Sequence, residues 1–358
     1  MIPAGPHPMK ATMADPATQP PRRRVTMEDV GRMAGVSQVT VSRALSDPSK
    51  VSPATLARIR EAIEVTGFVR NAVAGALASR RTGLIGAIVP SITNVTYSSM
   101  ISALSERLRP AGYELLMSET GFDDLRQEEA ILTHLSRRPD AMLLTGVNHS
   151  PASRRRLMGA GIPVMELWDV TETPIDLCVG FDHAQAGRAA AVFARGRGYA
   201  RAATVTASDV RAARRRRAFA ERFAEGRPGL AVPDLDVGGA ASIEAGRRGL
   251  ARLLDGAGPG SGAELRGGVI YCSSDILAHG VLIEARARNL SVPDDIAILG
   301  FGDQDFARHL HPALSTVRID LGRLGRQAAD TILARLGGRP VGQSVVDLGF
   351  EVIARASA

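Results

Sequence analysis

From Leu84 onward, short apolar runs of strand length alternate with amphipathic stretches of helix length. Eight runs have strand character: LIGAIVP (84–90), YELLM (113–117), AMLLTG (141–146), IPVMEL (162–167), LCVGF (177–181), AATVT (202–206), GVIYCS (268–273) and IAILGF (296–301). The helical pattern is clearest over 98–111, 124–137, 185–197 and 276–289. This alternation predicts parallel sheets that are covered by helices on both faces.

The number of these units constrains the architecture further. A chain of 358 residues exceeds what a single core usually supports. Eight or more strand–helix units suit two doubly wound subdomains better than one sheet, with the chain crossing between them near residues 180 and 315. The carboxyl ends of their strands would then face each other across a cleft, where α/β sheets usually bind ligands.

The first 82 residues follow a different pattern. Residues 1–24 are rich in Pro, Ala and Thr without periodicity, and we expect them to be disordered. A first helix is predicted to begin at Thr26, with Asp29 completing a capping box, and to end at Gly35. Its apolar side would hold Val30, Met33 and Ala34.

Two further short helices follow. Ser37 can cap the second helix, and Ser52 with Pro53 begins the third, which runs to about Thr66 and stops at Gly67. The apolar positions of these two helices that we expect to be buried are Val41, Ala44, Leu45, Leu56, Ile59 and Ile63. The sequence therefore predicts a compact three-helix head in front of the α/β body.

The positive charge of the chain is concentrated in this head. Residues 1–82 contain 10 Arg and 2 Lys against 6 Asp and Glu, whereas the whole chain has a net charge of only +7. A basic head on a nearly neutral body indicates a polyanionic partner. A solubilising basic tail is the alternative, because Arg22, Arg23 and Arg24 supply three of these charges.

An ordered set of motifs decides between these alternatives. DV-x3-AGVS-x2-TVSRAL spans the first two helices, VSPATLARI begins the third, and N-x-V-A-x2-L follows over 71–77. With these motifs, residues 25–83 resemble the DNA-binding head of the lactose-repressor (LacI) family. The resemblance implies a helix-turn-helix domain over 25–70, whose second helix enters the major groove of operator DNA.

The resemblance also assigns DNA contacts. Gln38 and Val39 are the candidates for reading bases, because glutamine can pair with adenine and valine can touch a thymine methyl group. Val39 could instead pack in the core, although its spacing from Val41 favours exposure. Arg43 matches an arginine of the family that reaches base or phosphate. Thr40 and Ser42 are expected to hold phosphates.

Residues 71–82 match the hinge helix of the same family, which folds when two protomers meet on DNA. In that reading Asn71 caps the helix, Leu77 wedges into the minor groove, and Arg80 lies beside phosphate. Leu77 can also be an ordinary contact between the paired hinges. Two positions depart from the family: Gly31 stands where alanine is usual, and Arg70 where proline is usual.

The remaining residues, 83–358, resemble the periplasmic-binding-protein-like core of the family. The resemblance rests on VGFDHAQAG (179–187), CSSDILAHGVL (272–282) and VPDDIAILGFGD (292–303). Finer likenesses favour the gluconate-operon repressor branch: AGIPVMELWD (160–169), D-x-R-x3-R (209–215) and VVDLGFEV (345–352). The expected fold is thus an all-α helix-turn-helix head with a hinge helix, followed by an α/β core of two doubly wound parallel-sheet subdomains.

An anionic effector makes chemical sense of the predicted cleft. Arg211 and Arg215 lie one helical turn apart after a strand, and their planar guanidinium groups suit a carboxylate. A run of five arginines over 211–217 could instead be a solvated face. The other candidates for contacting the effector are Asp275, which could alternatively cap a helix, Asp303, Asn148 and Trp168, with His149 and Glu166 as weaker ones. Gly302 departs from the acidic residue that is common in the family.

Rival classes find less support in the sequence. The chain has no GxSxG, Walker or HExxH motif, so we expect no enzyme activity and no cofactor. His309 and His311 form an isolated pair, which does not indicate a metal site. Cys178 and Cys272 are expected to be buried free thiols, and the N-terminus lacks a secretory signal, which favours the cytoplasm.

The resulting expectation is a homodimeric repressor that binds a pseudo-palindromic operator and is released by a small effector, gluconate or a related sugar acid. A neutral sugar or purine effector, corepressor-dependent repression, and activation all remain open. A sugar-binding module without DNA function is disfavoured by the head of about 60 residues.

Overall fold

A computed structural model describes residues 23–69, 81–256 and 262–358. The chain divides into two compact units, Met1–Arg80 and Arg81–Ala358, which are considered separately below. The predicted tail up to residue 22 and the predicted hinge contacts Asn71, Leu77 and Arg80 lie outside the described residues.

The N-terminal unit contains the three predicted helices, α1 (Met27–Ala34), α2 (Gln38–Ser46) and α3 (Pro53–Thr66). The predicted caps are confirmed: Thr26 and Asp29 form a capping box, and the hydroxyl groups of Ser37 and Ser52 accept hydrogen bonds from the first turns of α2 and α3. Each cap satisfies a backbone N–H group that has no partner within its helix. Gly35 and Gly67 end α1 and α3 in the left-handed conformation.

A small apolar core holds these three helices together. Its fully buried side chains are Val30, Ala34, Val41, Ala44, Ile59 and Ala62, and the predicted Leu45, Leu56 and Ile63 pack against them while partly exposed. The prediction for Met33 is wrong, because its side chain is 54% exposed. The structure explains the glycine at position 31: a Cβ atom there would lie 2.8 Å from the Val36 carbonyl oxygen, in the turn between α1 and α2.

The second unit is built on two six-stranded sheets. Sheet A has the order β11-β5-β4-β3-β1-β2 and sheet B the order β12-β10-β9-β8-β6-β7. The strands are β1 (Leu84–Val89), β2 (Glu114–Glu119), β3 (Ala141–Thr145), β4 (Val164–Leu167), β5 (Leu177–Gly180), β6 (Ala202–Thr206), β7 (Asp234–Asp236), β8 (Gly268–Cys272), β9 (Ile296–Gly302), β10 (Ser315–Arg318), β11 (Val345–Asp347) and β12 (Glu351–Ile353). All eight predicted strands are confirmed, and every pairing is parallel except that of β12 with β10.

Helices cover both sheets. They are α4 (Val95–Leu108), α5 (Asp124–Ser136), α6 (Pro151–Gly159), α7 (His183–Gly196), α8 (Val210–Ala224), α9 (Ile243–Asp255), α10 (Asp275–Ala287) and α11 (Leu321–Leu336). The chain passes from sheet A to sheet B between β5 and β6, returns between β10 and β11, and crosses again between β11 and β12. Each sheet with its helices is called a subdomain, A or B, below.

Burial in this unit follows the sequence pattern. Strands β1, β3, β4, β5, β6, β8 and β9 are buried almost throughout, as expected for strands covered on both faces. Cys178 and Cys272 are buried and unbridged, as predicted. Among the described residues, no helix combines the length and the apolar character that crossing a membrane would require.

Asp275 lies at the start of α10 in the interior of subdomain B. Its Oδ1 atom accepts a hydrogen bond from the Thr316 hydroxyl at 2.6 Å, and its Oδ2 atom accepts one from the Gln304 N–H at 2.7 Å. Burial raises the pKa of this carboxyl to about 6, although both hydrogen bonds oppose the shift. The helix cap that was an alternative role for Asp275 belongs to Ser274.

We predict that Asp275→Asn removes a pH-dependent cost of folding. A carboxyl whose pKa is higher in the folded than in the unfolded chain stabilises the fold below its unfolded pKa of 3.8, and that contribution is lost as pH rises through about 6. The asparagine oxygen can face the Gln304 N–H while the Thr316 hydroxyl turns to accept from the amide. The melting temperature of the variant, relative to the original chain, should therefore rise between pH 5 and pH 8.

The comparison needs both proteins in the same buffers, measured by circular dichroism or calorimetry. A difference in melting temperature that stays constant from pH 5 to pH 8 would show that Asp275 does not titrate with a raised pKa.

Candidate nucleic-acid interface and ligand cleft

The N-terminal half of α2 forms an exposed polar surface on the head. Gln38 and Arg43 are exposed and Val39 is 66% exposed, so the alternative in which Val39 packs in the core is wrong. Val41 and Ala44 point to the opposite, buried side. This division follows from the helical period, which places i+3 neighbours on one face.

The chemistry of this surface suits an anionic partner. Helix α2 contains no acidic residue, and its N-terminal N–H groups carry partial positive charge. Thr40 and Ser42 are partly exposed, and the Thr40 hydroxyl lies 2.9 Å from that of Ser37. Such a helix N-terminus with hydroxyl groups and one arginine can bind phosphates and present side chains to base edges.

A cavity of about 330 Å³, called the inner chamber below, lies between the two subdomains. Subdomain A contributes the start of α4, from Asn94 to Tyr97, and Trp168 after β4. Subdomain B contributes Arg211 and Arg215 of α8, the residues after β8, Phe301 of β9 and Gln304. These segments meet because the carboxyl ends of parallel strands lie at one edge of each sheet.

Arg215 is only 5% exposed and is held by three groups. Its Nη1 atom donates to His183 Nδ1 at 2.7 Å and its Nη2 atom to the Ser273 carbonyl oxygen at 3.0 Å. The guanidinium carbon lies 3.9 Å from the centre of the Phe301 ring. None of the carboxylates that the structure describes forms an ion pair with Arg215, so within the described residues its charge has no direct counter-ion.

His183, the hydrogen-bond partner of Arg215, carries no charge that could balance the positive charge of the arginine. Burial, with the charge of Arg215 second, holds the pKa of His183 well below its usual range, so the imidazole is neutral. Its Nε2–H donates to the Trp168 carbonyl oxygen at 2.8 Å, which leaves Nδ1 to accept from Arg215. His183 opens α7, directly after the chain leaves sheet A. His183 therefore links Arg215 of subdomain B to Trp168, the residue that follows β4 in subdomain A.

Arg211 crosses the cleft. Its Nη2 atom donates to the Tyr97 hydroxyl of subdomain A at 3.2 Å, and its guanidinium carbon lies 5.5 Å from the centre of the Phe122 ring. The nearest carboxylate is Asp209, with Oδ1 3.8 Å from the arginine Nε atom. The same oxygen also accepts the first N–H groups of α8, so it neutralises Arg211 only in part.

Trp168 forms part of the chamber wall. It is buried and lies edge-on to Tyr97 and Phe181, with ring centres 5.8 and 5.0 Å apart. Its backbone φ of 73° lies in the left-handed region, which a tryptophan adopts only where the surrounding structure imposes it. Backbone strain of this kind clusters at binding sites.

The remaining effector candidates lie elsewhere. Asp303 forms ion pairs with Arg318 at 2.6 Å and Arg355 at 2.7 Å, and neither Asp303 nor Asp275 lines the inner chamber. Asn148 lines a second cavity of the same cleft. His149 and Glu166 form a buried pair, with Nε2 and Oε1 3.3 Å apart, and line neither cavity.

Several residues of this site were not predicted from the sequence. His183, Phe301 and Gln304 lie within or beside quoted motifs, but their roles depend on partners that are distant in sequence. The signal for His183 was its place directly after β5, where a strand end enters the cleft. Tyr97 and Phe122 carried no motif at all.

Two family models match the chain. The model described as bacterial regulatory proteins, lacI family, matches residues 26–71, and the model described as periplasmic binding protein-like domain matches residues 193–358. The chain is 34% identical to the HTH-type transcriptional regulator GntR of Pseudomonas aeruginosa, over 93% of this chain and 96% of that protein. It is 30% identical to the regulator of the same name from Escherichia coli, over 92% and 97%.

The fold of the chain is also similar to solved structures of transcription regulators. A LacI-family transcriptional regulator from Silicibacter pomeroyi superposes with a TM-score of 0.85 at 29% identity, covering 93% of this chain and 99% of that one. The lac repressor dimer bound to operator and an anti-inducer gives a TM-score of 0.77 at 22% identity, covering 94% and 99%, which is a likeness of fold. The relatives are transcriptional regulators, not enzymes.

We predict that His183→Ala lowers the free energy of unfolding of the core by about 2–5 kcal/mol, because it leaves a cavity and removes the partner of two buried groups. His183→Gln offers one donor and one acceptor and should recover part of the loss. Urea unfolding followed by circular dichroism measures both variants. An unchanged unfolding midpoint for His183→Ala would contradict the bridging role.

Proposed function

The chain belongs to the LacI family of bacterial transcription regulators, and we propose that it represses a catabolic operon for a sugar acid of the gluconate type. In this proposal the sugar acid binds in the inner chamber and releases the protein from its operator. The protein works in the cytoplasm, as a homodimer on a pseudo-palindromic site. The observation that carries the ligand class is the pair of buried arginines, Arg211 and Arg215.

The electrostatics of the chamber favour an anion over a neutral sugar. Burying a charge without a partner is costly, and the groups around Arg215 are all neutral: an imidazole, a carbonyl oxygen, an aromatic face and the Tyr271 hydroxyl. A ligand carboxylate would supply the missing negative charge through charge-assisted hydrogen bonds. Gly302 stands where the family commonly has an acidic residue, which further reduces negative charge at this edge of sheet B.

The hydroxyl groups of such a ligand would also find partners. Ser273 and Ser274 follow β8, and Thr96 and Asn94 lie at the start of α4, all in the wall of the inner chamber. Trp168 and Phe301 offer apolar faces to the carbon chain. A few polar groups among aromatic walls are typical of sites for small polar molecules.

Helix α8 offers a route from ligand to DNA. From this one helix Arg211 reaches Tyr97 and Arg214 reaches Asp169, with 3.0 Å between Nη1 and Oδ1, so two contacts link subdomain B to subdomain A. A ligand that binds Arg211 and Arg215 changes the balance between open and closed clefts. In the proposed mechanism this shift prevents the two heads of the dimer from binding both half-sites of the operator at once.

The dimer that we propose has a candidate surface on subdomain A. Strand β2 is an edge strand of sheet A, and exposed apolar side chains lie on and beside it, among them Met117, Ile92 and Val95. An exposed edge with apolar side chains favours pairing with another chain. A second copy would extend this edge.

For the head we propose that Gln38 and Val39 read base edges while Arg43 contacts base or phosphate. Thr40 and Ser42 would hold phosphates and fix the register of α2 on the duplex. The proposed hinge contacts of Asn71, Leu77 and Arg80 rest on the family resemblance of the sequence.

Titration of operator-bound protein with sugar acids tests the effector class. Gluconate and its 2-keto and 5-keto relatives should release the DNA in a gel-shift assay, whereas glucose should not. Arg215→Met should abolish release without changing operator affinity in the absence of ligand, because it removes charge from the chamber and leaves the head intact. The proposal fails if a neutral sugar or a purine changes DNA affinity and no sugar acid does.

A matched pair of variants tests the head. Arg43→Ala should weaken specific operator binding about 5–150-fold, which corresponds to about 1–3 kcal/mol for one good arginine–base contact. Arg60→Ala, on the exposed face of α3, removes the same charge from the head and should cost much less. Fluorescence anisotropy at fixed salt measures both variants, and equal losses would show that Arg43 acts only through net charge.

A further inference from the structure

The cleft contains a second cavity of about 430 Å³, which we call the outer chamber. Gln127, Asn148 and Asp169 line it from subdomain A, and Ala213 and Asp236 line it from subdomain B. It adjoins the inner chamber, because four residues line both: Phe122, Ala207, Asp209 and Arg211.

Each chamber is large enough to hold a small ligand. Pockets for small molecules usually measure about 300–1,000 Å³, and the inner chamber already reaches this range alone. The proposed sugar acid, held by Arg215 in the inner chamber, therefore leaves the outer chamber unfilled. The larger of the two cavities therefore has room for an occupant of its own or for a second part of the same ligand.

Two buried charged side chains in the wall of the outer chamber, Asp169 of subdomain A and Arg211 of subdomain B, each have one polar atom without a hydrogen-bond partner among the described residues. Asp169 is fully buried, and its Oδ1 atom accepts from Arg214 and from the Val170 N–H. Its Oδ2 atom has no hydrogen-bond partner among the described residues. Arg211 is 7% exposed, and within the part of the chain that the structure describes its Nη1 atom also has no hydrogen-bond partner.

Leaving buried charged atoms unpaired is unfavourable, and a ligand can remove that cost. A hydroxyl group can donate to the Asp169 carboxylate while a neighbouring hydroxyl accepts from the Arg211 guanidinium. Asn148 and Gln127 add amide groups to the same wall. The lining therefore suits a neutral, polyhydroxylated group, and the half-exposed Phe122 ring offers a face for a sugar ring to stack on.

We propose that the outer chamber binds a glycosyl unit joined to the sugar acid, so that the preferred effector is a disaccharide acid of the aldobionic class. This inference rests on the proposed function, in which the acid end lies at Arg215. Arg211 lies in the wall common to both chambers and contacts both halves of the ligand. The glycosyl unit contacts Asp169 of subdomain A and Arg211 of subdomain B together, which favours cleft closure.

Isothermal titration of the full chain separates the two proposals. Cellobionate, maltobionate or lactobionate should bind at least about tenfold more tightly than gluconate, because hydrogen bonds to two charged groups are gained. If gluconate binds and all three disaccharide acids bind more weakly, the outer-chamber inference is overturned while the proposed function stands. If no acid binds, both fail.

Chamber-filling variants locate the glycosyl unit. Ala213 lines only the outer chamber and Ala240 only the inner one. Ala213→Leu should remove the advantage of the disaccharide acid and leave gluconate affinity unchanged, whereas Ala240→Leu should weaken both ligands. Asn148→Ala, at an exposed side chain, provides a second outer variant in case Ala213→Leu does not fold. Equal weakening of gluconate and disaccharide acid by both outer variants would refute the assignment.

Discussion

The hydrogen bonds of Arg215 are the contacts on which the ligand cleft depends. A neutral His183, the Ser273 carbonyl and the Phe301 ring hold the guanidinium in place without cancelling its charge. In the proposed function this arrangement favours an anion, because the desolvation of the arginine has already occurred when the ligand binds. The chain thus keeps a preorganised positive site between its two subdomains.

Helix packing positions this arginine. Helix α7 crosses α8 at Gly187, where a Cβ atom would overlap the Arg215 carbonyl oxygen. The close approach brings His183, at the start of α7, within reach of the Arg215 side chain. Helix α8 then turns Arg211 and Arg214 toward subdomain A. One helix therefore carries both the proposed anion site and two of the contacts between subdomains, and in the proposed mechanism it couples ligand binding to cleft closure.

The sequence predicted the fold well because burial dominates it. The eight strands are apolar runs, and the head helices begin at Ser and Thr caps, both of which are local signals. The arginine run could also be resolved by its period: Arg211 and Arg215 are buried, whereas Arg217, two positions on, is exposed. Asp275 and Asp303 were less predictable, since their partners are distant in sequence: Thr316 and Arg318 lie in β10, and Arg355 follows β12.

A structure of the core with a bound sugar acid would show directly whether the two arginines of α8 hold the ligand carboxylate. We expect the ligand carboxylate within about 3 Å of the guanidinium nitrogens of Arg215 or Arg211, with the hydroxyl groups of the ligand toward the starts of α4 and α10. A ligand that turns its hydroxyl end to these arginines, or that binds outside the cleft, would contradict this expectation.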